Sequence, residues 1–563
     1  MTRSMTFSVP WFFLLGALLL AGCSEGSERR SRRANLKWHA DGGVDLITDE
    51  DSEVITLSRD ELGSMFGEGK RPFEGARIAI AVANQGPKGG ISGPLHQLRP
   101  AWEQLTGARL EIVMIPVAEL LNKTLMGLEF GSAQFDGVIQ GAWFMGEYVT
   151  AGLLRPIDDF IGDERFAQWD PDWLPQTLRD LHAWGGKMYG VLNDSDGQVL
   201  YWRHDILTDP QWQERFKQDT GRDMPFPVKT WHDVIDIARF FHGKTWDTVA
   251  DGATPDAESE PGTGVVLHLK VNEYGMFHFM SLSAPFTVIS GDRVDRGVNN
   301  YWFDPKTMEP LINQPGHVRA LETLLELARY GPKAQVAWDI GTAWDWFLRG
   351  KCIFTYSFGD VGALAQDVAR SKIKGKVGAS ILPGSFDVYD MNRNEWLKRR
   401  EPNIAGNLTG ASWHGVITAA SKHPEAVYSL YALMATRPVS LWNVYRGWTG
   451  VDPGASIHYV PPNGEAPVQG YLDEGWAESD VKFYLQAYYD NFFAGTMLPY
   501  LRIDGAEEYW RVLDRNLSEA MIERMTPQEA LDRTAREWVQ ITDRRGREKQ
   551  LKQYQQSIGY AAP

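Results

Sequence analysis

The 563-residue chain predicts an α/β fold: mainly parallel β-sheet flanked by helices. Two observations carry that prediction. From Phe73 onward, short apolar runs alternate with amphipathic stretches, and strands separated by helices of about 10–15 residues are the mark of βαβ units. The composition, 43% hydrophobic and 23% charged, suits a chain with a large core and excludes a disordered or fibrous one. No internal repeat appears that would argue for a solenoid.

The elements follow in order. Arg77-Ile78-Ala79-Ile80-Ala81-Val82 reads as the first strand. Residues 93–107 read as a helix, with Leu95, Leu98, Trp102 and Leu105 spaced three and four apart. Leu110–Ile115 is the second strand, Val117–Phe130 a helix with Leu120, Leu121, Leu125 and Leu128 apolar, and Phe135–Ile139 the third strand. Residues 208–227 and 247–264 read as loop-rich. Thr230 is placed as the N-cap of a helix carrying Val234, Ile237, Ala238 and Phe241. Arg319–Tyr330, Pro424–Ala435, Asp480–Phe493 and Ala506–Arg524 read as helices, and Pro527–Ile541 as the last, with Pro527 at its first position. Ligands of such sheets sit beyond the carboxyl ends of the strands. That singles out the loops at 84–90 and 140–143.

The N-terminus addresses the compartment. Arg3, the apolar run Pro10–Leu20 and Leu20-Ala21-Gly22-Cys23 read as a signal peptide over residues 1–22. The four-residue end resembles the bacterial lipobox, which implies lipidation of Cys23 and anchoring to a bilayer. Residues 23–72 are then a lipidated tether, with Arg29, Arg30, Arg32 and Arg33, followed by a small acidic segment read as a solvated hairpin. The only other cysteine, Cys352, sits in an apolar run and reads as buried and inert, so no disulfide framework exists.

The net charge of −16 argues against a nucleic-acid partner. The sequence contains no Gly-x-Ser-x-Gly elbow, P-loop or His-Glu-x-x-His motif, and no histidine spacing that suggests a metal. No cofactor is expected. The 22 tryptophans exceed the tyrosines. Large flat aromatics in loops suggest stacking on a ligand, whereas Trp102, Trp231, Trp510 and Trp538 fall on helix faces and read as core.

Several segments, in one order, resemble the bacterial extracellular solute-binding proteins of sugar ABC importers, the family that includes maltose-binding protein. They are Gly152-Leu153-Leu154-Arg155-Pro156-Ile157-Asp158, Gly186–Val191 with Leu200–Asp205, and Pro227–Asp233. Trp346–Phe354, Gly378–Gly384, Ala420–Ala426 and Thr526–Asp532 follow. Leu192 departs from the family's proline. The resemblance implies two α/β lobes joined by crossing strands, with a ligand cleft between them. It places lobe one at about 73–193 and 350–414, lobe two at about 197–345 and 416–542, and a tail at 543–563. The implied role is a membrane-anchored monomer in the cell envelope that captures a carbohydrate or polyol and hands it to an ABC permease, without chemistry.

A sugar site needs planar hydrogen-bonding groups and an aromatic platform. The loops used by the family offer Asn84 and Gln85 after the first strand, and Gln140 and Trp143 after the third. Asp194 and Asp196 lie at the first crossing, Tyr356 and Asp360 around the turn after the Cys352 strand, and Trp413 and His414 where the chain returns. Asp196 matches a ligand-contacting carboxylate of the maltose-binding branch. Trp302, Trp442 and Trp448 are further aromatic candidates. The competing reading is a lipid-anchored glycoside hydrolase or lyase with two carboxylates across a scissile bond.

Overall fold

A computed structural model describes residues 35–49, 51–84, 89–131, 135–246, 261–273, 275–289, 301–447, 450–498 and 500–560, the side chain of residue 118 apart. The expected signal peptide, Cys23 and the arginine-bearing tether fall outside the described residues, as do Gln85 and Trp448.

The described chain starts with an antiparallel sheet of β1 (Leu36–Trp38), β2 (Val44–Ile47) and β3 (Val54–Leu57). The expected solvated hairpin is therefore corrected to a docked three-stranded sheet. Val44, Leu46, Ile55 and Leu57 are buried, and burying that face requires a partner surface. Glu53 accepts a 2.6 Å bond from the Trp442 indole N–H, and Arg446 pairs with Asp51 and Glu53, which fastens this sheet to the main body.

Next come β4 (Arg77–Ala83), α1 (Gly93–Thr106), β5 (Arg109–Ile115), α2 (Val117–Glu129) and β6 (Gly137–Gly141), the expected βαβ pattern. β7 (Gly190–Asp194) and β8 (Val199–Arg203) bracket the first crossing between lobes. Between β8 and α3 (Trp231–Phe241), Pro210–Thr220 is a helix rather than loop. Asp209 caps it, Pro210 occupies its first turn, and its single buried residue, Phe216, left little periodicity to read. Thr230 caps α3 with a reciprocal bond from Asp233, as expected. β9 (Thr263–Val265), α4 (Gly275–Thr287), α5 (Pro315–Ala328), β10 (Cys352–Ser357) and β11 (Val377–Ser380) follow. Then come β12 (Trp413–Thr418), α6 (Pro424–Ala435), α7 (Arg437–Arg446), α8 (Glu478–Phe492) and α9 (Ala506–Met521). The last helices are α10 (Pro527–Arg545) and α11 (Arg547–Ser557), so the expected tail is largely helical, with Tyr554 buried.

Two sheets define two lobes. The first runs β7-β12-β6-β4-β5, with the short strand Leu154–Arg155 also on β12. The second runs β9-β10-β8-β11. Both are mixed, which corrects the mainly parallel expectation. In the first, β4 is parallel to β5 and β6, but β12 lies antiparallel to all its neighbours. In the second, only β9 and β10 are parallel, while β8 is antiparallel to β10 and β11. Both β8 and β12 are strands that have just crossed between lobes, and they enter against the local direction.

The lobe boundaries implied by the resemblance also need correction. β10 and β11 pair with β8, so residues 350–380 belong to lobe two. Lobe one regains the chain only at β12, and α6 packs on it: the Trp102 indole N–H on α1 donates to Ser429 Oγ on α6 at 3.2 Å. Trp102, Trp231 and Trp538 are fully buried, as helix-face core should be. Cys352 is buried too, and desolvation pushes its thiol well above the ordinary value.

Thr526 caps α10 in a capping box with Glu529. Thr526→Ala is expected to cost about 1 kcal/mol of stability. The change should be seen as a lower urea midpoint at unchanged slope. An unmoved midpoint would show that the box contributes nothing.

Candidate functional site

A groove of about 590 Å³ opens between the lobes. Lobe one supplies Val117 and Leu121 from α2, and Trp143 and Phe144 from the turn after β6. Lobe two supplies Met276 and Phe277 from the start of α4, with Asn272 and Glu273 just before it. The rest of that wall is one face of α9, where Glu507, Trp510, Arg511 and Asp514 recur three and four residues apart.

The floor is aromatic. Trp143 meets Trp413 edge-on with centroids 5.3 Å apart, and lies beside Trp510 of the other lobe at 6.4 Å. Trp143 is folded back over Gly141, where a Cβ would clash with the indole, so that position requires glycine. Trp510 was expected in the core. It is largely buried but lines the groove, and its indole N–H has no acceptor. The legible signal was the company it keeps: three charged residues, Glu507, Arg511 and Asp514, share its helix face.

Polar groups of the groove are mostly engaged with the protein. Asp514 accepts the backbone N–H of Asn272 and is hydrogen-bonded by the Met276 backbone, at the start of α4. Burial nevertheless raises its carboxyl to about 6. Glu507 pairs with Arg511, and Glu273 with Lys270.

The remaining candidates divide into three groups. The first is a carboxylate cluster beneath the groove, at the crossing. A bulge between Leu192 and Asp194 ends β7 and turns the chain toward lobe two. Asp194 accepts the backbone N–H of Asp452 at 2.7 Å, and Trp413 hydrogen-bonds Asp196. Burial raises Asp194 and Asp196 well above the carboxylate range, and the neighbouring aspartates push the same way. Burial, then the charge of Asp452, raises Asp360 to about 8. Asp452 reaches only about 6, because it accepts from Tyr484 and Tyr488 hydroxyls, each at 2.8 Å, and from the Gly359 N–H at 2.9 Å. Asp452 is the member that sequence reasoning missed. It lies in the 440–480 segment, which has no counterpart in the motifs of the resemblance.

The second group is Gln140 and His414, paired across β6 and β12 with side chains 3.5 Å apart. His414 meets His182 edge-on, and burial holds both rings well below the ordinary histidine range, His182 at about 3. Both candidates are fully buried and do not line the groove. The third group stands apart from it. Tyr356 is buried against Trp231 and donates to the His278 carbonyl, and Trp302 is buried against Tyr301 and Trp538. Trp442 holds the N-terminal sheet, and Asn84 is exposed at the end of β4. Among the described candidates, Trp143 is therefore the one that lines the groove, with Trp413 and Asp196 directly behind it.

Among the described residues, no group of three or more His, Cys, Asp or Glu is arranged to hold a metal ion, and no helix is long and apolar enough to cross a membrane. Neither Asp194 nor Asp196 lines the groove.

Two α/β lobes exchanging strands around a common groove define a cleft-type architecture, one in which hinge motion can close the lobes on a ligand. Its family is equally definite: the chain belongs to the bacterial extracellular solute-binding proteins, whose family model matches residues 97–439. Solved structures share the fold at low identity. One is an ABC transporter solute-binding protein from Agrobacterium radiobacter K84 in complex with ribitol. It is 17% identical, covers 84% of this chain and 100% of its own, and has a TM-score of 0.59. A second, from Agrobacterium vitis S4 with bound D-mannitol, is 17% identical over 84% and 99%, with a TM-score of 0.58. Maltose-bound MalE3 from T. maritima is 18% identical over 83% and 100%, with a TM-score of 0.58.

Proposed function

We propose that this solute-binding protein captures a carbohydrate or polyol in the interlobe groove and delivers it to an ABC permease, tethered to the cell envelope through lipidated Cys23. The observation that carries the reading is the groove itself. Tryptophans from both lobes, Trp143 and Trp510, face one cavity of about 590 Å³, so a ring bound there touches both halves and favours their closure. Ribitol, mannitol and maltose in the similar structures support the ligand class. The work done is binding: the family consists of solute-binding proteins, and the acidic pair at the crossing is bonded to the protein's own groups.

A thermal-shift screen of sugars, polyols, amino acids and metal salts tests this. A ligand at a hundred times its Kd adds about 2.7 kcal/mol, enough for a Tm rise of a few degrees. Trp143→Ala is expected to remove at least tenfold of the affinity while leaving the far-ultraviolet spectrum unchanged. A Tm raised only by amino acids or metals, or a sugar consumed during the assay, would end this reading.

A further inference from the structure

We infer that the ligand is a carbohydrate carrying an apolar substituent, an alkyl or aryl glycoside, in place of a free polyol or an unsubstituted sugar. The inference rests on the carbohydrate reading above and narrows it.

Seven of the twelve residues that line the groove are apolar, among them Leu121 on one side, Met276 and Phe277 on the other, and the indoles of Trp143 and Trp510. Its charged groups are held by partners within the protein. Glu507 has Arg511, Glu273 has Lys270, and Asp514 binds the start of α4. One buried polar group is left over, the indole N–H of Trp510. A polyol carries a hydroxyl on each carbon. Each hydroxyl loses water on entry, and a buried polar group without a partner opposes binding. Of the planar side chains singled out in the sequence, Gln140 is covered and the Tyr356 hydroxyl serves the His278 carbonyl, so hydroxyls find only Asn272 and the ion-paired groups at the rim. The lining instead matches a ligand with an extended apolar face and one acceptor for Trp510, such as a glycosidic or ring oxygen. Each methylene that it buries is worth about fourfold in affinity.

Titration calorimetry on the full chain with mannitol, maltose, phenyl β-D-glucoside and hexyl β-D-maltoside, the last below its micelle concentration, tests the inference. Hexyl maltoside is expected to bind at least tenfold more tightly than maltose. Phe277→Asn should erase most of that gain, and Trp510→Phe, which keeps a ring, should weaken hexyl maltoside severalfold. Equal or tighter binding of maltose or mannitol, or a gain that survives Phe277→Asn, overturns the inference and leaves the carbohydrate reading standing. Binding of none of the four overturns both.

Discussion

Asn407→Leu is expected to destabilise the protein by about 3–5 kcal/mol, because it strands several buried backbone groups at once. The Asn407 side chain accepts the Gln198 N–H at 2.9 Å and donates to the Gln198 carbonyl at 2.8 Å. It also donates to Asn491, whose amide in turn bonds the Asn407 carbonyl and accepts its N–H. All three residues are buried, and Gln198 follows the first crossing between lobes. The neighbouring Gly197 is glycine for the same reason: a Cβ there would meet the Asn491 amide at 2.6 Å. Leucine fills the volume of asparagine but returns none of these bonds, and a half-satisfied buried network is worse than none. Urea unfolding measures the effect. A loss under about 1 kcal/mol would mean that the stranded groups find other partners.

The second large effect is on pH. Burial holds protons on Asp194, Asp196, Asp360, Asp452 and Glu147 in the folded state, with Asp360 at about 8 and Asp452 at about 6. The unfolded chain releases those protons near pH 4. Stability from these groups is therefore complete below the unfolded value and is lost as pH rises toward 8. Buried histidines act in the other direction. His182, His268, His317 and His458 lie at about 3, and His278 and His414 are also lowered, all chiefly by burial. The unfolded chain takes up protons on them below about pH 6.5, so their stability is lost as pH falls from there toward 3. Each unmatched proton gives a slope of about 1.4 kcal/mol per pH unit. Between the two arms the slopes oppose one another. The urea midpoint is expected to be higher near pH 6 than at either pH 3.5 or pH 8.5. Asp360→Asn should flatten the alkaline arm, and His317→Leu the acid one. A midpoint that keeps rising to pH 8.5, or an alkaline arm unmoved by Asp360→Asn, would contradict this account.

Much of the architecture was legible from local pattern. The strands at 77–83 and 109–115, helix α1 and the capped starts of α3 and α10 lie where apolar spacing and cap residues put them, because those signals act over a few residues. The groove was less legible. Gln140, Tyr356 and Trp302 have the right chemistry at plausible loops, yet they are buried. Trp510 and Asp514 lie far along the chain from Trp143 and meet it only when α9 is laid against the turn after β6.

By itself, then, the sequence determined the α/β class, the family and most of the elements. Hydrophobic periodicity and capping are written in neighbouring residues, and ordered motifs survive insertions. Only the tertiary structure decided which segments share a lobe, that both sheets are mixed, and which tryptophans face the groove and which the core. Those are matters of pairing between segments up to hundreds of residues apart, and a strand carries no local mark of the partner beside which it will lie.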